Sequence, residues 1–100
     1  MQRFEDPAGS IHIGANESFE FSLAGNPTTG YEWQASVDPN YVEPEARAFE
    51  AEGKTIGAGG REVFRFRALQ AGETEIAFEY RRAWERAPLE VRRYRLVIVD

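Results

Sequence analysis

The chain predicts an all-β fold, an immunoglobulin-like antiparallel β-sandwich of about seven to eight strands. Three observations carry that reading. Apolar and polar residues alternate with a period of two over most of the length. Turn residues interrupt the alternation at the short, regular spacing of sandwich strands, and no window sustains a helical period. Seven Phe, four Tyr and two Trp against one Met supply stiff side chains suited to a pleated, half-buried surface. At 100 residues this is a single domain, 1–100, with residues 1–9 expected to form a loosely ordered N-terminal segment.

Taken in order, Ile11-His12-Ile13 is a short strand, and Ser18 to Leu23 alternates cleanly, with Phe19, Phe21 and Leu23 on one face. Tyr31, Trp33, Ala35 and Val37 then alternate with Glu32, Gln34 and Ser36. Trp33 falls where such sandwiches bury a tryptophan, so core packing is its expected role. Tyr41 to Phe49 is open to two readings, a short strand broken by Pro44 or a single helical turn, and is taken as an edge strand. Phe64, Phe66 and Ala68 form the next inward row, followed by Thr74, Ile76, Phe78 and Tyr80. The final run switches phase: Leu89 and Val91 share one parity, Tyr94, Leu96 and Ile98 the other. A β-bulge near Arg92-Arg93 is the expected cause. Gly25-Asn26-Pro27 with Gly30, Asp38-Pro39-Asn40 and Ala71-Gly72 supply turns.

Composition narrows function. The absence of cysteine excludes disulfides, thiolate metal sites and a cysteine nucleophile. The single histidine, His12, lies in a short strand, where a surface role is the simplest. The carboxylates follow neither an acid–base pair nor a calcium-loop spacing. No metal, no cofactor and no enzymatic activity are therefore expected. Residues 1–60 carry a balance of −7 and residues 61–100 a balance of +2, giving −5 overall. An acidic first half argues against nucleic acid as a partner. The arginines at 81, 82, 86, 92, 93 and 95 are read as solvated strand edges and outward faces. No apolar run approaches the ~18 residues of a membrane helix, so no membrane partner is expected. Residues 1–10 have no apolar signal-peptide core. The expected location is therefore cytoplasmic, or periplasmic or secreted if a leader has been removed.

Three loops look too specific to be spacers. The first reads Asn26-Pro27-Thr28-Thr29-Gly30-Tyr31, in which Asn26 can close an Asx-turn, Pro27 fixes its own φ and Gly30 permits a positive one. The second, Gly57-Ala58-Gly59-Gly60, lacks the Lys-Ser/Thr ending of a phosphate loop. It suits close backbone approach to a partner, the alternative being simple flexibility. The third spans Tyr80 to Arg86. Trp84 lies beyond the buried row and is expected to be exposed beside Arg82, a hot-spot composition; the bland alternative folds it back over the sheet edge. In immunoglobulin-like topology these three connections share one end of the sandwich.

On these residues the chain resembles the chagasin family, inhibitors of papain-like cysteine peptidases. Asn26 to Tyr31 match the family's Asn-Pro-Thr-Thr-Gly-aromatic loop in full; Gly57, Gly59 and Gly60 match its Gly-x-Gly-Gly loop. Arg82 and Trp84 match its Arg-Pro-Trp loop, with Ala83 where proline is usual. The resemblance implies reversible, non-covalent blocking of a peptidase cleft by a monomer. Thr28 and Thr29 would face the catalytic centre, Gly57 to Gly60 would approach the peptidase backbone, and Arg82 and Trp84 would grip the far wall. A second class of function, a carbohydrate-binding or adhesion module, is the alternative for such a sandwich with an exposed Trp and Arg.

Overall fold

Phe19 and Phe21 are fully buried while Glu20 between them is not, the outcome that a period of two requires; beyond Phe21 the strand is buried on both faces, at Ser22 as well as Leu23. The computed structural model describes residues 1–7, 9–53 and 59–100. Its eight strands are β1 (Gln2–Phe4), β2 (Ile11–Gly14), β3 (Ser18–Gly25), β4 (Tyr31–Ser36), β5 (Val42–Ala51), β6 (Gly60–Ala68), β7 (Gly72–Arg82) and β8 (Glu90–Val99). They form two four-stranded sheets, in the orders β1-β3-β6-β5 and β2-β8-β7-β4. The body of each sheet is antiparallel. β1 pairs parallel to β3, however, and β2 parallel to β8. The first fourteen residues thus supply one outer strand to each sheet. Residues 1–9, read as loosely ordered, contain β1 among them.

The core lies between the sheets. The Phe21 ring of the first sheet meets Phe78 and Tyr94 of the second at 5.2 and 5.0 Å, and Phe64 meets Phe78 at 5.2 Å. Each such side chain contributes about 1.5–3 kcal/mol by burial, and each ring pair about 0.5–1.5 kcal/mol more. In a chain without cysteine this packing does what an inter-sheet disulfide does elsewhere.

Two details differ from the sequence reading. β8 contains no bulge: its register with β7 runs unbroken from Tyr80↔Glu90 to Gly72↔Ile98. Leu89 and Val91 are simply exposed, and the inward place that an apolar residue was expected to fill belongs to Arg92. Its guanidinium lies 5.2 Å from the centre of the Trp33 ring. The irregularity sits instead in β5, between Pro44 and Ala46, where Glu45 has no partner on β6. Proline removes a ladder donor, and β5, as an edge strand, tolerates the break.

The outward faces are laced with ion pairs across strands, among them Arg65–Glu20 at 3.1 Å and Arg95–Glu73 at 2.9 Å. Partial burial pushes the Glu20 carboxyl up, but hydrogen bonds from Arg65 and Arg3 outweigh it and hold the group below the ordinary carboxylate range. Exposed pairs of this kind are each worth about 0–1 kcal/mol, so their role is solubility and edge protection more than stability.

Candidate functional site

Register alone places the three loops together. β3 ends at Gly25 opposite Gly60, which opens β6, and Ala51 at the end of β5 faces the same Gly60. In the other sheet Tyr31, the first residue of β4, pairs with Arg82, the last of β7, while Tyr80 pairs with the first residue of β8. The connections β3–β4, β5–β6 and β7–β8 therefore leave from one end of the sandwich.

The first loop is held by its own side chains. Asn26 Oδ1 accepts the Thr28 amide at 3.1 Å and the Thr28 hydroxyl at 2.6 Å, which is the expected Asx-turn. The Thr29 amide and hydroxyl both donate to the Asn26 carbonyl, closing a 3-10 turn over Pro27–Thr29. Gly30 then takes φ +84°, a conformation strained for any side chain with a Cβ. A Cβ there would also lie 3.3 Å from the Trp84 ring. Thr28 and Thr29 are exposed at the tip.

Beneath the loop stand three aromatic rings: Tyr31 stacks on Tyr80 at 5.3 Å, and Tyr80 contacts Trp33 at 4.7 Å. The Tyr80 hydroxyl accepts the Asn26 amide, and Trp33 Nε1 donates to the Ala24 carbonyl at 2.9 Å. Glu62 completes the base. It is buried; its carboxylate accepts the Trp33 amide from the other sheet at 3.1 Å and the Arg47 guanidinium at 2.7 Å. Glu62 is not among the residues that motif or composition singles out, although its parity with Phe64 and Phe66 is a signal that it points inward.

In the third loop the Glu85 amide donates to the Arg82 carbonyl at 3.1 Å, so Arg82 to Glu85 make one β-turn with Ala83 and Trp84 at its corners. Trp84 is 73% exposed, which answers the question between a displayed ring and one folded over the sheet. Of the second loop, Gly57 and Ala58 lie outside the described residues. Gly59 borders the first loop: a Cβ on it would stand 3.4 Å from the Gly25 carbonyl. A Cβ on Gly60 would collide with the Glu50 carbonyl, so only glycine fits there. The surface thus offers a stiff tip, a displayed indole and close backbone. Among the described residues no group of His, Cys, Asp and Glu is placed to hold a metal ion.

Comparison with known proteins agrees with this geometry. Chagasin of Trypanosoma cruzi is 30% identical over 81 residues, covering 75% of this chain and 74% of its own. Amoebiasin-2 of Entamoeba histolytica is 32% identical over 100 residues, covering 94% and 80%. The crystal structure of a cysteine protease inhibitor from Entamoeba histolytica superposes with a TM-score of 0.86 at 25% identity, over 97% of this chain and 94% of that one. The model of the chagasin family of peptidase inhibitors, I42, matches residues 12–98, and the chain, with its eight-stranded sandwich and three loops at one end, belongs to that family.

Proposed function

We propose that this protein inhibits papain-like cysteine peptidases reversibly and without covalent chemistry, by seating the loop end of the sandwich in the substrate cleft. The carrying observation is Trp84, displayed to solvent and packed against Gly30 of a hydrogen-bonded Asn26–Tyr31 loop. Family membership sets the class, an inhibitor and not an enzyme. The chain has no thiol with which to trap one. Inhibition then rests on shape. Thr28 and Thr29 occupy the catalytic centre, Trp84 anchors one side, and Gly59 and Gly60, with Gly57 and Ala58, approach on the other. A loop already closed by its own hydrogen bonds loses little freedom on binding and resists the extended form that a peptidase cleaves.

A sugar-binding platform is not favoured. Such a surface presents several coplanar rings, whereas here Tyr31 is stacked on Tyr80 and covered by Arg82. The exposed rings among the described residues, Trp84 in the third loop and Phe49 on β5, lie on separate elements with no ring contact between them. Titration against papain with a fluorogenic peptide tests the proposal. Competitive loss of activity at stoichiometric inhibitor, with trypsin unaffected, is expected. Folded protein that leaves papain and a panel of related peptidases fully active would sink it.

A further inference from the structure

Among the described residues, Arg82 ties the first loop to the third. Its Nε donates to the Thr29 carbonyl at 3.2 Å, across from one loop to the other. Its guanidinium carbon lies 4.5 Å from the centre of the Tyr31 ring and 5.8 Å from that of Trp84. A terminal nitrogen donates to Glu85 Oε1 at 3.2 Å, and the backbone carbonyl accepts the Glu85 amide. Its Cγ and Nε would each lie 3.8 Å from a Cβ at Gly30. The side chain is about one-third exposed. Guanidinium geometry makes this possible: a planar fork can stack on an aromatic face and still donate in its own plane.

We propose that Arg82 is a positioning residue for inhibition. It holds the Thr28-Thr29 tip and the Trp84 indole at a fixed separation, so that both meet the cleft as one body, and it does not supply a charge to the peptidase. This rests on the inhibitory reading of the loop end, and deepens it by dividing the third loop. Trp84 faces outward to the partner, and Arg82 faces inward to the first loop. The covalent chain does not impose this link, since Thr29 and Arg82 are fifty-three residues apart.

Three measurements test it, using the whole protein. The first needs no peptidase: backbone order parameters of Thr28 to Tyr31 are read by NMR in parent and Arg82→Ala. A rigid loop near ~0.85 in the parent should fall towards ~0.6 in the variant. Unchanged order parameters overturn the proposal even if inhibition is as expected. The second compares Arg82→Lys with Arg82→Ala against papain. A lysine keeps the charge but cannot both stack and fork, so both variants should weaken inhibition by about tenfold, with melting temperatures close to the parent. Near-parental inhibition by Arg82→Lys would show that charge alone suffices and would overturn it. The third is a double-mutant cycle with Trp84→Ala. If Arg82 acts through Trp84 and Thr29, its removal costs clearly less once Trp84 is gone; strict additivity, the signature of an independent contact with the peptidase, refutes the proposal. Failure of the parent to inhibit papain would instead count against the inhibitory reading, and the NMR result separates the two.

Discussion

The two ends of the sandwich use similar turn chemistry for different purposes. At the end opposite the candidate site, Asp38 closes an Asx-turn by accepting the Asn40 amide at 3.0 Å, much as Asn26 accepts Thr28. There the remaining turns are tied to the strands mainly by backbone bonds, with Gln70 Nε2 donating to the Asn40 carbonyl at 2.9 Å. The Asn16 amide donates to the Ala68 carbonyl, Ala68 to Glu17, and Leu69 to Tyr41. Tyr41, partly buried against the core, lies over Gly72. At the site end the ties run largely through side chains, those of Asn26, Thr29, Tyr80 and Arg82, and the Trp84 ring is left in water. One end spends its polar groups on closing the fold, the other on shaping a surface. A pattern of turns alone does not separate these cases; the direction in which the aromatic side chain points does.

That contrast can be broken in either direction. Trp84→Ala should act on inhibition alone: loss of at least ~2 kcal/mol, or roughly a thirtyfold higher inhibition constant, mostly through faster dissociation. Its melting temperature should move by less than ~4 °C, since the ring is exposed. Gly72→Ala should do the reverse. Gly72 holds φ +145°, and a Cβ there would lie 2.7 Å from the Tyr41 ring. A cost of about 1–3 kcal/mol, on the order of 4–20 °C in a calorimetric scan, is expected with the inhibition constant of the folded fraction unchanged. Should Gly72→Ala also impair inhibition, the ends are coupled through the core and the division drawn above is wrong.

Two smaller changes sharpen the comparison within the site end. Gly30→Val should weaken inhibition by roughly five- to thirtyfold, because a left-handed conformation costs a side chain about 1–2 kcal/mol and Trp84 leaves no space for it. Ala83→Pro should tighten inhibition by about two- to fivefold. Ala83 is the second residue of the Arg82–Glu85 turn, a position that favours proline, and restricting it gains about 0.4–1 kcal/mol. Stopped-flow or progress-curve measurement of the inhibition constants decides both. Weaker binding by Ala83→Pro at an unchanged melting temperature would mean that this turn presents Trp84 through a geometry proline does not share.

The strands and the displayed tryptophan were legible because both are local. Alternation in Ser18–Leu23 reports a single buried face, and Trp84 stands outside the alternation of Thr74 to Tyr80. What periodicity does not carry is direction or partner. Nothing in Gln2-Arg3-Phe4 announces a parallel edge strand, since its pairing with Phe19 to Phe21 depends on chain that comes later. Glu62 has the inward parity of its strand, but its partners are not local: a carboxylate is buried here only because Trp33 and Arg47 arrive from other strands to satisfy it. The phase change near Arg92 was visible, but its cause was misread. A guanidinium over Trp33 fills an inward place that an apolar count reserves for hydrocarbon. The division of labour between Arg82 and Trp84 is equally invisible in sequence, where both read as one motif.

The order of strands in the second sheet sets when an inhibitor of this design becomes competent during its synthesis. β8 is the last of the eight strands to be made, yet it lies inside its sheet, between β2 and β7. Ile11 waits for Leu96, nearly the full length of the chain, before it has a neighbour. Until β8 emerges from the ribosome, β2 has no sheet to join and Phe78 lacks the cover of Tyr94. Pairings this distant in sequence form slowly, and an unfinished sheet exposes apolar edge. The first loop, by contrast, is closed within a few residues of itself. Its ties to Tyr80 and Arg82 nevertheless come from β7, so the loop end is assembled only once β7 is made, and β7 gains its second neighbour only with β8.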